Sequence, residues 1–71
     1  MLKLFAKEPE THYTEVDGLE MFTISYDVAH AISIQVMTTQ FLDEGWELGY
    51  QGQDCQGRYG WMEAIFTRGG M

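Results

Sequence analysis

One cysteine, one proline and four basic residues, in a chain of 71, exclude several ways of holding a small protein together. Cys55 has no partner in the chain, so no internal disulfide can brace the fold. One cysteine and two distant histidines, His12 and His30, cannot complete a tetrahedral zinc site without carboxylates or a second chain. No apolar run is long enough to span a bilayer, and the opening Met1-Leu2-Lys3-Leu4-Phe5-Ala6-Lys7 is too short and too regularly alternating for a signal peptide. A cytoplasmic protein with no membrane association is therefore expected, and a lone thiol suits a reducing compartment. Lys3, Lys7, Arg58 and Arg68 are the only basic residues, and positions 8–57 contain none. Nucleic-acid binding requires Lys or Arg against phosphate, so no direct contact with nucleic acid is expected.

What is present is a large apolar fraction, 45%, and an acidic surplus that brings the net charge to -7. That is core enough for a single domain over 1–71, although a chain this short buries only about 60% of its unfolded surface. With disulfide and metal set aside, oligomerisation is the expected source of extra stability. The acidic stretch repels phosphate and attracts cationic surfaces, so a basic host protein is a suitable partner.

Residues 2–7 alternate in the manner of a strand, which ends at Glu8-Pro9-Glu10. Asp17-Gly18 stands between two β-type runs, His12 to Val16 and Leu19 to Tyr26, and predicts a two-residue type I′ hairpin. The register follows: Val16 faces Leu19, Glu15 faces Glu20, Thr14 faces Met21 and Tyr13 faces Phe22. Both faces of this hairpin are partly apolar, so both are expected to be covered or to lie at an interface.

Asp27 is placed to cap a helix over Val28 to Glu44, which contains no Gly or Pro, and Gly45 ends it with a left-handed residue. Ala31, Ile34, Thr38, Phe41 and Leu42 share an arc of about 100°, the width of a core-facing stripe. Val28, Ala29, Ile32 and Val36 form a second stripe. One sheet needs only the first, so Val28, Ile32 and Val36 are expected to pack on the N-terminal hairpin or to form an oligomer interface. Trp46 to Tyr50 and Tyr59 to Arg68 read as strands around a polar loop, with Met62, Ala64 and Phe66 on one face of the last strand and Trp61, Glu63 and Ile65 on the other. The result is an α+β fold, an antiparallel sheet of three to five strands on one α-helix. It divides into an extension at 1–19, a strand-helix-hairpin unit at 20–68 and a frayed tail at 69–71.

Phe41-Leu42-Asp43-Glu44-Gly45-Trp46-Glu47-Leu48 followed by Trp61-Met62-Glu63-Ala64-Ile65-Phe66-Thr67-Arg68 resembles small bacterial and phage domains of unknown function. Their hallmark is a helix ending in Glu-Gly-Trp-x-Leu. The resemblance runs from about Met21 to Arg68, with Glu63 in place of an expected Gln and Thr38 in place of an aliphatic residue. It implies a strand-helix-hairpin fold and small oligomers, and no reaction.

No phosphate-binding loop, metal-binding His pair or nucleophile elbow occurs, so no catalytic residue and no cofactor is expected. Cys55 lies beside Asp54, which raises a thiol pKa rather than activating it. His12 and His30 read as surface or capping residues, and Glu44 and Glu47 as exposed acids beside a turn. The candidate partner-binding residues are Glu15 and Glu20 beside the hairpin turn and the group Tyr50, Arg58, Tyr59 and Trp61 around the last loop, since aromatics and Arg dominate binding hot spots. The sequence thus predicts a non-enzymatic binding module, an inhibitor from a phage or other mobile element that docks an acidic and aromatic surface on a host protein, in one version as a nucleic-acid mimic. The alternatives are an oligomeric sponge that encloses a nucleotide-like molecule between Trp61, Tyr59 and Arg58, or a structural oligomer without a ligand.

Overall fold

A computed structural model describes residues 8–69. The strand expected at 2–7 lies outside them. The order is β1 (Glu10–Val16), β2 (Leu19–Asp27), a 3-10 turn (Val28–His30), α1 (Ala31–Asp43), β3 (Glu47–Gln53) and β4 (Trp61–Gly69). One helix packs on a four-stranded antiparallel sheet of order β1-β2-β4-β3, an α+β fold.

Asp17 (φ 53°) and Gly18 (φ 85°) both take the left-handed conformation of a type I′ turn, whose twist suits two paired strands. The hairpin register is the expected one, Val16 opposite Leu19 and Glu15 opposite Glu20. β4 inserts between β2 and β3 and sets Phe22 beside Phe66, Ile24 beside Ala64 and Tyr26 beside Met62. These six side chains share a face, since alternate residues of a strand point the same way. Against them α1 lays Ile34, Met37 and Phe41, and the buried core is Ile24, Tyr26, Ile34, Trp46, Ala64 and Phe66.

The end of α1 is a complete Schellman motif. Gly45 (φ 95°) donates its N–H to Leu42 O at 3.2 Å, and Trp46 donates to Phe41 O at 3.0 Å. The hydrophobic contact that accompanies this motif joins the Trp46 and Phe41 rings, with centroids 5.3 Å apart. Trp46 therefore closes one end of the core, as its place after the helix stop leads one to expect.

Several boundaries and faces differ from the sequence reading. Asp27 accepts from Ala29 N at 2.9 Å, so it caps the 3-10 turn, and α1 proper begins three residues later. Met37 replaces Ala31 and Leu42 on the core-facing stripe, and those two are exposed. β3 runs on to Gln53, with a bulge at Gly49 that puts Leu48 opposite Phe66 but Tyr50 opposite Ile65. Gly69 is no frayed residue: it pairs with Leu19 at the end of β4.

Candidate functional site

The sheet has a second face, opposite α1, and the chain treats its two halves differently. In one half, Ser25 and Glu63 are buried although they are polar, because the loop after β3 folds over them. Asp54, also buried, accepts from Arg58 Nε at 3.0 Å, Arg58 Nη2 at 3.1 Å and Gln56 N at 3.1 Å. The fork of Arg58 matches the two oxygens of the carboxylate. These bonds, with a further one from Ser25, hold the Asp54 carboxyl down at about 2. Arg58 also reaches Glu10 Oε2 at 3.1 Å across the sheet, and its guanidinium lies 3.9 Å from the centre of the Trp61 ring. Glu63 Oε1 accepts from Cys55 N at 2.9 Å. No buried side-chain nitrogen or oxygen among the described residues lacks a hydrogen-bond partner, and the bonds of this lock fasten loop to sheet.

Ligand atoms of Asp54, Cys55 and Glu63 lie within 4.8 Å of one another, the one group among the described residues with the makings of a metal site. Both carboxylates already accept protein hydrogen bonds, Glu63 from Cys55 N and Asp54 from the Arg58 guanidinium, whose charge offsets that of Asp54. Desolvation, and then the Glu63 carboxylate, push the Cys55 thiol upward, which keeps it protonated and poorly nucleophilic.

The other half of this face is open. Thr14, Val16, Leu19, Met21 and Tyr50 are exposed there, with Thr23, Ile65 and Thr67 half-buried among them. Val16 is 65% accessible. The Tyr50 ring lies over Gly52, where a side chain would collide with it at 2.8 Å, and its hydroxyl donates to Gln53 O at 3.2 Å. Glu47, beside Thr67, is the acid on this side of the β3 edge.

The candidate residues named from the sequence divide among three places. Arg58 and Trp61 meet, but inside the lock. Tyr50 stands on the open face, and Tyr59 is fully exposed at the tip of the loop before β4. Glu15 and Glu20 sit opposite each other on the helix side of the sheet, at its far end. Glu20 is engaged there: Arg68 Nη2 lies 3.0 Å from its Oε1, and Tyr13 Oη donates to the same oxygen at 3.3 Å. Partial desolvation, then Glu20 and Glu15, raise the Tyr13 phenol above its ordinary value. Arg68 also lies over the Trp46 ring, 4.3 Å from its centre.

Val28, Ile32 and Val36 are 48%, 79% and 55% accessible, and they do not pack on the hairpin as one branch of the sequence reading had it. Beside them a cleft of about 410 Å³ opens between α1 and β3, lined by Tyr26, Ala31, Gln35, Thr38, Thr39, Gln51 and Met62. None of the described residues that line it is charged. Among the described residues, no helix is long and apolar enough to cross a membrane. Comparison with protein-family models, with curated proteins and with solved structures finds nothing that matches this chain.

Proposed function

We propose that the protein is a non-enzymatic binding module that docks another protein on the open half of its sheet. The observation that carries this reading is the cluster of Val16, Leu19, Met21 and Tyr50 on a face that no described element covers. Contiguous apolar surface of this kind marks interaction sites, and Tyr and Met supply rigid and adaptable contact area respectively. Glu47 at the edge and Asp17 at the hairpin tip add negative charge to the rim, and with a net charge of -7 they favour a basic partner. Arg58 and Arg68, the basic residues among those described, are both committed to internal ion pairs, which supports a protein partner over a nucleic acid. An inhibitor carried by a phage or mobile element, acting by occupying a basic surface of a host protein, fits these features. Val28, Ile32 and Val36 offer a second surface suited to self-association.

The test is affinity capture from the source cell with the intact chain and with Leu19→Glu, each checked for folding by circular dichroism. The expected result is a partner retained by the intact chain, lost with Leu19→Glu and released progressively as salt rises. A partner retained equally by both folded proteins refutes the docking face. The uncharged cleft favours a second reading, a small neutral ligand, and native mass spectrometry of the purified chain distinguishes it by a bound mass that survives Leu19→Glu.

A further inference from the structure

A sheet of four strands has two edges, and this chain protects them unequally. Along β3 the pairing is broken by the bulge at Gly49, a second glycine follows at Gly52, and the Gln53 carbonyl at its end accepts from Tyr50. Such irregularity blunts an edge against further strands. β1 has none of it. Its seven residues, Glu-Thr-His-Tyr-Thr-Glu-Val, pair with β2 in unbroken register, contain no Pro, Gly or Lys, and are all exposed. No strand among the described residues pairs with its outer side.

We propose that a second copy of the chain adds its own β1 to this edge, antiparallel, about a two-fold axis through Tyr13, to give one continuous eight-stranded sheet. Two-fold symmetry requires each residue to meet its own reciprocal, and the alternation of inward and outward groups permits only registers in which residue numbers of a pair sum to an even value. A sum of 26 pairs all seven residues. Glu10 then faces Val16 of the second copy, Thr11 faces Glu15, His12 faces Thr14, and Tyr13 faces Tyr13. No carboxylate opposes another. A sum of 30 would set Glu15 against itself, and sums of 24 or 28 leave two residues of each β1 without a β1 residue opposite. At the favoured register the two Glu15 residues stand four positions apart along the pair, about 13 Å at strand spacing, which is beyond the Debye length of about 8 Å at physiological salt. Glu10 is neutralised within its own copy by Arg58. Two acidic chains can therefore meet at this edge with no two β1 carboxylates directly opposed.

Antiparallel edge pairing keeps equivalent faces on the same side. Both helices lie on one face of the joined sheet, and Val16, Leu19 and Met21 of both copies lie on the other. Because Val16 of each copy stands opposite Glu10 of the other, the two open half-faces lie diagonally across the joined sheet, one on each side of the two-fold axis. This goes beyond the docking reading and stands apart from it, since strand pairing is measured without any partner protein.

The experiment uses the full chain with Cys55→Ser as background. Sedimentation equilibrium of that chain should give twice 8.2 kDa. Directly opposed residues in an antiparallel pair have Cα atoms about 4.5–5.5 Å apart, within disulfide range. Tyr13→Cys should therefore yield a covalent dimer as the major species under mild oxidation. Thr11→Cys alone should not, whereas an equimolar mixture of Thr11→Cys and Glu15→Cys should. All three positions are exposed, and the mixed pair tests the register even if Tyr13→Cys folds poorly. A mass of 8.2 kDa at every concentration overturns the proposal, and covers the case in which another segment of the same chain takes the edge. So does a dimer abolished by Ile32→Glu in which neither Tyr13→Cys nor the mixed pair forms a bond, which would place the interface on α1. Equal cross-linking by Thr11→Cys alone and Tyr13→Cys refutes the register.

Discussion

Truncation of Trp46 to alanine tests how the core is closed. The ring is 8% exposed, stacks at a tilt on Phe41 and is covered on its outer side by Arg68. A buried aromatic side chain removes about 150–250 Å² from water, worth about 4–6 kcal/mol at 25 cal/mol per Å². Large-to-small truncations of aromatic residues in other cores cost about 3–5 kcal/mol, and the lower figure applies where surroundings collapse into the gap. Collapse is restricted here, because Trp46 is tied through its backbone to Phe41 O and cannot move off the helix end. A domain of this size has a total stability of about 4–10 kcal/mol at 0.05–0.15 kcal/mol per residue. Trp46→Ala should therefore leave a chain that is largely unfolded or marginally stable at 25 °C. Urea denaturation followed by far-UV circular dichroism measures the loss, with Trp46→Phe as the variant that keeps an aromatic ring and should lose less. A Trp46→Ala midpoint within experimental error of the intact chain would mean that the ring does not seal the core.

Two further perturbations probe the ends of the sheet. Asp54 has a folded-state pKa of about 2, below the ordinary 3.8, so its contribution to stability is fully present above pH 4 and is lost as pH falls from 4 toward 2. Acid denaturation of Asp54→Asn should show a smaller loss of stability across that window than the intact chain, and identical acid curves would show that the lock adds nothing to folding. At the opposite end, Glu15→Lys should stabilise the hairpin by about 0.2–1 kcal/mol, because it converts a like-charge cross-strand pair with Glu20 into an opposite one. Glu20→Lys should destabilise it, because it sets a lysine against Arg68. Equal midpoint shifts for the two variants in thermal denaturation would contradict the ion pair.

Local rules made much of this fold legible. Asp17-Gly18 dictated a turn whose geometry fixes the register of β1 and β2 residue by residue, and Gly45-Trp46 marked the helix stop together with the ring that seals it. The strand faces of β4 followed from alternation alone. Where longer-range terms decide, the sequence was silent. Nothing in Glu-Leu-Gly-Tyr-Gln-Gly-Gln announces that Gly49 will absorb an extra residue and turn Tyr50 to the face away from α1. Apolarity did not distinguish Met37 from Leu42 on α1, because the choice depends on which side of the helix Trp46 and the sheet approach. The pairing of Arg58 with Glu10 joins residues 48 positions apart, and that of Arg68 with Glu20 does the same. Such contacts leave no periodic trace in a single chain, so Glu15 and Glu20 read alike although only Glu20 has an arginine, and Arg58 and Trp61 read as an exposed hot spot although they fasten a loop.

That exchange of roles sets the open half of the sheet apart by a physical contrast within one face. A sheet face destined for solvent is usually filled with charged and long polar side chains, and one destined for the core with aliphatic ones. Opposite α1 the chain uses both solutions at opposite ends, and inverts them. Ser25, Asp54 and Glu63 are buried there although polar, covered by their own loop, and the apolar Val16, Leu19 and Met21 are left in water. Closing the aliphatic half with a similar loop would have been open to the chain, since the connection between β1 and β2 leaves the sheet beside Val16 and Leu19. That connection is instead held to two residues by Asp17-Gly18, the shortest turn that joins antiparallel strands, which leaves no backbone to fold over Val16 and Leu19. The tight turn and the bare apolar patch are thus one feature, and a loop of several residues inserted at Asp17-Gly18 would be the most direct way to cover the patch from within.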